Sequence, residues 1–202
     1  MSATDVVRPG ELVESIVRCI EERISAYPHR RTSNTKWTSA VKCALRELGS
    51  ARGEQVRCTD GTAGPNEFLV DVMWYNPDTH RPDAVFESEW KSIDEILYDF
   101  QKLLYLKCPL KVLICDPAPA HRPRLIPGLI ELLKRYPDHV AGEQYVVINV
   151  KGSSFGGEAD CYTWEVPRSA ANPADIRFSM IEGSPFTYTL RERPASASVA
   201  GG

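Results

Sequence analysis

The chain has 202 residues, of which 43% are hydrophobic, and a formal net charge of −3 at pH 7. This length supports one well-packed domain rather than two, and the small negative charge excludes recognition of nucleic acid through a global positive field, leaving only local basic clusters for that role. The six cysteines form no CxxC pair and no zinc-type spacing with histidine, and neither a secretory signal nor a membrane span is present, so we expect reduced thiols in a cytoplasmic protein with no membrane partner.

Two helices are predicted at the start of the chain. In PGELVESIVRCIEERISAY, apolar residues recur every three or four positions, which predicts an amphipathic helix over residues 9–27 that breaks at Pro28. WTSAVKCALRELG repeats this spacing from Trp37 and ends at Gly49, a residue that often terminates helices. A second helix therefore follows the first.

Three strands are predicted after these helices. The segments EQVRCTD, EFLVDVMWY and DAVFESEWK are short, rich in β-branched and aromatic residues, and separated by the turn-forming stretches GTAGPN and NPDTHRP. Consecutive strands with short connections favour an antiparallel meander.

The second half of the chain returns to alternating helices and strands. SIDEILYDFQKLLYLK has helical spacing and opens with Ser92 and Glu95 in capping-box positions. LKVLIC is a buried strand, RLIPGLIELLKRY is a helix despite Pro127, and EQYVVINV is a further strand. Residues 84–150 are therefore predicted to be β-α-β-α-β, CYTWEV and FTYTL to be late strands, and residues 191–202 to be a disordered tail.

Charged residues cluster at the end of the third predicted strand. Because alternate residues of a strand share a face, Glu87, Glu89 and Lys91 point the same way in FESEWKS. Burying an unpaired ion costs several kcal/mol, roughly 2–5, so this cluster needs partners or a bound cation. By contrast, the four histidines lie in predicted loops without metal-ligand spacing, and we interpret His29, His80, His121 and His139 as surface residues.

Asp71 is the only acid in the preceding predicted strand, FLVDVMWY. If Asp71 lies opposite Glu89 in an antiparallel pair, their Cβ atoms are about 5 Å apart. A slip of one residue would place them on opposite faces, and the sequence leaves this register open. Two neighbouring carboxylates would bind a hard divalent cation, Mg²⁺ or its usual substitute Mn²⁺. A lysine beside them suits activation of water and stabilisation of a phosphate, so the pattern indicates phosphodiester hydrolysis.

An acid in one strand, followed by ExK at the end of the next, resembles the PD-(D/E)xK nuclease superfamily, here as Asp71 and Glu89-Trp90-Lys91. The resemblance extends over about residues 37–115 and implies an α/β, restriction-endonuclease-like three-layer sandwich, with an αβββαβ core and a central mixed β-sheet flanked by helices. QKLLY also resembles the QxxxY element of the RecB-like branch, through Gln101 and Tyr105. The whole would be a single domain over residues 1–190, with C-terminal additions at 123–190.

The same resemblance implies a Mg²⁺-dependent endonuclease acting on DNA, of the kind used in restriction, defence or repair. In that role Asp71 and Glu89 hold the metal, Lys91 assists the attacking water and Gln101 orients the site or the substrate. The family also implies two further candidates, Glu47 from the first core helix and Tyr105 from QxxxY. Glu87 is an additional acid on the same face as Glu89, either a further ligand or an ion-pair partner of Lys91. The proline expected before the first acid is replaced by Val70. Cleavage of both strands of a duplex would favour a homodimer.

Other interpretations of the same residues remain open. A nuclease-like fold without activity would serve as a binding or assembly module, with the acids in structural ion pairs. Taken singly, Gln101 and Tyr105 fit an ordinary polar flank of the helix better than a site. A glycosidase is excluded more firmly, because its two carboxylates face each other across an open sugar cleft and have no use for the adjacent lysine.

Overall fold

The computed structural model describes residues 33–58, 69–151, 158–166 and 186–188, together with seven positions of an N-terminal helix. That helix, α1, includes residues 12, 14–16, 18–19 and 22, while the rest of the predicted range 9–27 and the predicted tail 191–202 lie outside the described residues. The remaining elements, in chain order, are α2 (Asn34–Ala51), β1 (Gln55–Cys58), β2 (Val72–Tyr75), β3 (Pro82–Glu89), α3 (Ile93–Tyr105), β4 (Leu110–Cys115), α4 (Arg122–Arg135), β5 (Gln144–Lys151), β6 (Glu158–Glu165) and β7 (Phe186–Tyr188).

The described strands form one mixed sheet in the order β1-β2-β3-β4-β5-β6-β7. β1, β2 and β3 are an antiparallel meander, as predicted. β4 pairs parallel to β3, and β5 pairs parallel to β4. This is possible because α3 and α4 each carry the chain back to the end of the sheet at which the previous strand began. The predicted β-α-β-α-β order is thereby confirmed, and β6 and β7 add antiparallel strands beyond it.

Helices cover both faces of the sheet, so the protein is an α/β structure with three layers. On one face, Val41 and Leu45 of α2 pack against Trp74 and Phe86. Trp74 Nε1 donates a hydrogen bond to the Leu45 carbonyl at 3.0 Å. The helix approaches the sheet so closely here that a Cβ atom on Gly49 would lie 2.5 Å from Trp74 Nε1. The helix was predicted to end at Gly49, but it continues to Ala51, and Gly49 instead permits the close packing against Trp74.

The other face of the sheet is covered by α3 and α4. Phe100 of α3 and Leu129 of α4 belong to the same buried cluster as Val85 and Val147 of the sheet. Alternation along β3 explains the division, since Val85 points to this face and Phe86 to the other. Glu87 has the same parity as Val85 and therefore points beneath α3.

The start of α3 is fixed by the predicted capping box. The Ser92 side chain accepts a hydrogen bond from the Glu95 amide, and the Glu95 carboxylate accepts one from the Ser92 amide at 3.1 Å. Only residues 90–92 separate the last residue of β3 from the helix. This short connection turns α3 back over the face to which Glu87 points.

The structure also describes the state of the cysteines and the hydropathy of the helices. The six cysteines are thiols, as expected, and burial raises the pKa of Cys108 and Cys161 to about 12. Within the part of the chain that the structure describes, no helix is both long and apolar enough to cross a bilayer.

Candidate active site at the end of strand β3

The pairing of β2 with β3 resolves the register that the sequence left open. Val72 is paired with Phe86 and Met73 with Val85, so extending the register by one residue places Asp71 across from Glu87 rather than Glu89. Asp71 itself lies in a bend directly before β2, not inside the strand. Asp71 therefore faces the buried Glu87, which lies two residues before Glu89, the acid considered from the sequence.

Asp71 is held by donors from both neighbouring elements. Its Oδ1 lies 2.8 Å from Lys42 Nζ of α2. Its Oδ2 accepts hydrogen bonds from the Ser88 amide at 3.0 Å and the Ser88 hydroxyl at 2.9 Å. A carboxylate with one ammonium and two neutral donors is firmly oriented, because hydrogen bonds to a charged acceptor are among the stronger ones in proteins.

Glu87 is the most deeply buried of the sequence-predicted site residues whose burial the structure describes, with 2% of its surface exposed. Its Oε1 lies 2.6 Å from Lys102 Nζ, which also lies 2.8 Å from Asp99 Oδ1. Burial, reinforced by the negative charge of Asp71, raises the pKa of Glu87 to about 8, although Lys102 works in the opposite direction. Burial by itself lowers the pKa of Lys102, but its contacts with Asp99 and Glu87 outweigh this and raise it.

Glu89 and Lys91, the predicted ExK pair, lie at the outer end of the site. Glu89 Oε1 accepts hydrogen bonds from the amides of Trp90 at 2.7 Å and Lys91 at 2.9 Å. Burial raises the pKa of Glu89, and these two amides partly counteract that rise. Lys91 is exposed, with its Nζ 3.4 Å from Glu95 Oε1. The nearby Glu89 carboxylate is the main reason that the pKa of Lys91 is raised.

The remaining predicted residues lie on outer helix surfaces. Gln101 Nε2 donates a hydrogen bond to the Tyr105 hydroxyl at 2.9 Å, and Tyr105 is 58% exposed. On α3 it is Lys102, the residue after Gln101, that contacts Glu87. Glu47 is exposed on α2, about 7.5 Å farther along the helix axis than Lys42.

We call the group formed by Asp71, Glu87, Glu89 and Asp99, with Lys42 and Lys102, the carboxylate cluster. Its four acids outnumber its two lysines, and carboxylate oxygens are the ligands that Mg²⁺ prefers. Burial and like charge both oppose ionisation of Glu87, so a divalent cation placed beside it would favour the ionised form. Among the described residues, however, no three His, Cys, Asp or Glu side chains converge closely enough to hold a metal ion. The carboxylate oxygens are of the type that binds a hard cation. In this arrangement, however, Asp71, Glu87 and Asp99 are paired with lysines instead.

Sequence reasoning missed four members of this site: Lys42, Ser88, Asp99 and Lys102. A signal for Asp99 was present, since it lies three residues after Ile96 and four before Leu103 and therefore falls on the buried stripe of α3. An acid on that stripe requires a buried counter-ion, and Lys102 at i+3 supplies it.

A second ionic group lies on the face of the sheet that α3 and α4 cover. Lys111 is fully buried, with its Nζ 3.0 Å from Glu143 Oε1. The Tyr145 hydroxyl donates to Glu143 Oε2 at 2.8 Å and lies 2.9 Å from His139 Nδ1. His139, predicted to be a surface residue, is only 5% exposed, so that prediction was wrong. Its Nε2 faces the Leu133 carbonyl at 2.9 Å, a contact that its position in a predicted loop did not suggest. We call these four side chains the Lys111 network.

A cavity of about 710 Å³ lies where β3, β4 and β5 begin, away from the carboxylate cluster. Arg81, Cys108 and Glu143 contribute to its wall. None of the site residues predicted from the sequence lines it.

Comparison with known proteins assigns the chain to no family. No protein-family model matches it, and no curated protein does. Among solved structures, the crystal structure of the central domain of yeast acetyl-CoA carboxylase is similar with a TM-score of 0.40 and 9% identity, over 88% of this chain and 31% of that chain. This chain thus spans about a third of that structure, and a likeness of this size assigns neither a fold family nor an activity.

Proposed function

We propose that the chain is a Mg²⁺-dependent endonuclease that hydrolyses phosphodiester bonds of DNA, built on a restriction-endonuclease-like core. The order α2-β1-β2-β3-α3-β4 agrees with the αβββαβ arrangement implied by the sequence resemblance. The observation that carries the proposal is Glu87, a buried carboxylate with a raised pKa, across the meander from Asp71. Such perturbed acids concentrate at functional sites.

Asp71 and Glu87 are the metal ligands in this proposal, with Glu89 as the adjacent donor at the end of β3. A bound Mg²⁺ or Mn²⁺ would polarise the phosphate and acidify a coordinated water. Ser88 orients Asp71 through its amide and hydroxyl, and Lys42 holds the other oxygen of that carboxylate. Glu87 takes the central position that the sequence pattern implied for Glu89, while Glu89 remains a ligand at the rim.

Two lysines are candidates for the group that assists the attacking water or stabilises charge on the phosphate. Lys102 contacts Glu87 directly, and its side chain is 22% exposed, so its flexible stem gives its ammonium access to bound substrate. Lys91 is the lysine implied by the ExK pattern and is exposed beside Glu89. A developing negative charge on a phosphate oxygen is stabilised by either ammonium.

A second function is favoured by one specific observation. Asp71, Glu87 and Asp99 are each paired with a lysine, and the described residues hold no three-ligand metal group. This arrangement also suits a nuclease-fold module without activity, used to bind nucleic acid or protein. It predicts no turnover and no effect of Mg²⁺ on stability.

Cleavage assays distinguish the two functions. Supercoiled plasmid and a single-stranded oligonucleotide are incubated with Mg²⁺, Mn²⁺ or EDTA, using the natural chain, Glu87→Gln, Lys102→Ala and Lys91→Ala. Glu131→Gln is the matched control, because Glu131 is an exposed acid in an ion pair on α4. We expect metal-dependent cutting that falls about a hundredfold or more in Glu87→Gln and stays unchanged in Glu131→Gln.

The two lysine variants assign the assisting residue by which of them loses cutting. If no substrate is cut and Mg²⁺ does not shift the melting temperature, the endonuclease proposal is overturned in favour of the binding module.

A further inference from the structure

The outer face of α3 carries two large exposed aromatic residues. Tyr98 is 64% exposed and Tyr105 is 58% exposed. They are seven residues apart, so they lie on the same side of the helix and about 10.5 Å apart along its axis. Single exposed aromatics are common on proteins, but two aligned rings on one helix form a directional surface.

A third ring and a positive charge extend this surface beyond the end of α3. The rings of Tyr105 and Tyr136 meet edge to face, with their centroids 5.8 Å apart. Lys107 Nζ lies 5.5 Å from the centroid of the Tyr136 ring. Lys134 and Arg135, in the last turn of α4, are exposed beside Tyr136 in sequence. This end of the surface is therefore aromatic and cationic.

The other end of the surface reaches the carboxylate cluster. Lys102 Nζ lies 5.9 Å from the centroid of the Tyr98 ring and 2.6 Å from Glu87 Oε1. One lysine thus contacts both the first exposed tyrosine and the buried carboxylate. Tyr98, Tyr105 and Tyr136, which we call the tyrosine track, lead from the candidate active site toward a positively charged end.

We propose that the tyrosine track binds single-stranded nucleic acid by stacking its bases on Tyr98 and Tyr105, with phosphates near Lys107. This inference rests on the proposed function and names its substrate class. Stacking on aromatic side chains requires unpaired bases with free faces, which a duplex does not offer. A separation of about 10.5 Å corresponds to roughly three nucleotide steps at a strand spacing of 3.4 Å. Positive charge at the far end complements the phosphates.

Binding is measured by fluorescence anisotropy in EDTA, which prevents metal-dependent cleavage during the measurement. The probes are a labelled oligothymidine and a labelled duplex of the same length. The proteins are the natural chain, Tyr98→Ala, Tyr105→Ala and the matched Tyr98→Phe and Tyr105→Phe, which keep the ring.

We expect each alanine variant to bind the single strand about fivefold more weakly or worse, since stacking contributes at least about 1 kcal/mol per base. The phenylalanine variants should stay within about twofold of the natural chain. Equal binding by the natural chain and both alanine variants overturns the proposal. The same holds if the natural chain has no affinity for the single strand, or if the variants lose duplex and single-strand binding equally.

The outcomes for this inference and for the endonuclease are separable. Glu87→Gln should bind oligothymidine in EDTA at least as well as the natural chain, because the substitution removes an acid and leaves the tyrosines in place. A chain that binds through the tyrosines but never cuts retains the tyrosine track and overturns the endonuclease. A chain that cuts in a metal-dependent way but binds independently of the tyrosines overturns the tyrosine track alone.

Discussion

The Lys111 network and the carboxylate cluster are two buried ionic groups with different arrangements. In the Lys111 network, a lysine with no exposed surface is matched by one glutamate, and Tyr145 and His139 complete the hydrogen bonds. In the carboxylate cluster, three acids share two lysines whose side chains are partly exposed, and Glu89 accepts only backbone hydrogen bonds at the outer end. Lys111 pairs across the sheet with Val85, only two residues before Glu87, so the same sheet supports both arrangements.

The difference separates a structural role from a chemical one. A one-to-one buried pair is closed, because each charge already has its partner and removal of either leaves an uncompensated ion. A group with excess acid and access to solvent is open, because it gains from an added cation. We therefore expect the Lys111 network to control stability and the carboxylate cluster to control activity.

Removing Lys111 is the strongest test of the closed arrangement. Lys111→Met should lower the free energy of unfolding by about 3–5 kcal/mol, because Glu143 then remains buried without a counter-ion. Urea denaturation followed by circular dichroism measures this change. The double variant Lys111→Met with Glu143→Gln should recover part of the loss. A cost below about 1 kcal/mol for the single variant would contradict a closed network.

The pH dependence of stability sharpens the comparison at Glu87. Its pKa is about 8 in the folded protein against an ordinary value of 4.5, so the folded state retains a proton that the unfolded state releases. The stabilisation is complete below about pH 4.5 and is lost as the pH rises through 8, by at most about 1.4 kcal/mol per pH unit. Glu87→Gln removes this contribution.

The measurement is the difference between urea unfolding curves of the natural chain and Glu87→Gln, taken in EDTA from pH 5 to pH 8. The comparison of the two proteins is needed because His139 changes the stability with pH in the opposite direction. Burial lowers the pKa of His139, so its contribution to stability is lost as the pH falls through the ordinary value of 6.5. Parallel pH profiles for the two proteins would show that Glu87 does not carry the excess proton.

Removing Lys102 should be less costly than removing Lys111. In Lys102→Met, Glu87 can take up a proton instead of remaining as an unpaired ion, so we expect a loss of about 1–2 kcal/mol at pH 7 and less at pH 5. Thermal melts with and without Mg²⁺ provide a second readout. Mg²⁺ should raise the melting temperature more in Lys102→Met than in the natural chain, because the ammonium no longer competes for the carboxylates. An equal or smaller shift would argue against competition.

Much of the fold was predictable because local signals agreed with packing. The meander, the capping box at Ser92 and the helix through Pro127 all follow from spacing and turn residues, and the structure contains each of them. The α/β class with helices on both faces of a mixed sheet follows from that order. The more specific restriction-endonuclease-like assignment remains a proposal.

The details of the site were less predictable because they depend on register and on side chains from distant elements. Periodicity placed Asp71, Glu87 and Glu89 near one another but did not fix which acid faces Asp71, since β2 begins only at Val72. Lys42 reaches Asp71 from a helix nearly thirty positions earlier, and no local pattern reports that contact. Likewise, His139 is buried through partners on α4 and β5, not through its own loop.

The smallest expected effect on stability is that of Lys91→Ala. Lys91 is exposed, and its partner Glu95 keeps its two hydrogen bonds from Ser92 when the ammonium is lost. The melting temperature should therefore change by less than about 2 °C, which differential scanning fluorimetry resolves. Because the variant is nearly silent in stability, any loss of DNA cutting in it reflects chemistry and not folding. Loss of cutting in Lys91→Ala with retention in Lys102→Ala would place the chemistry at the exposed end of β3, beside Glu89. The converse result would place it at the buried Glu87, where the open arrangement predicts it.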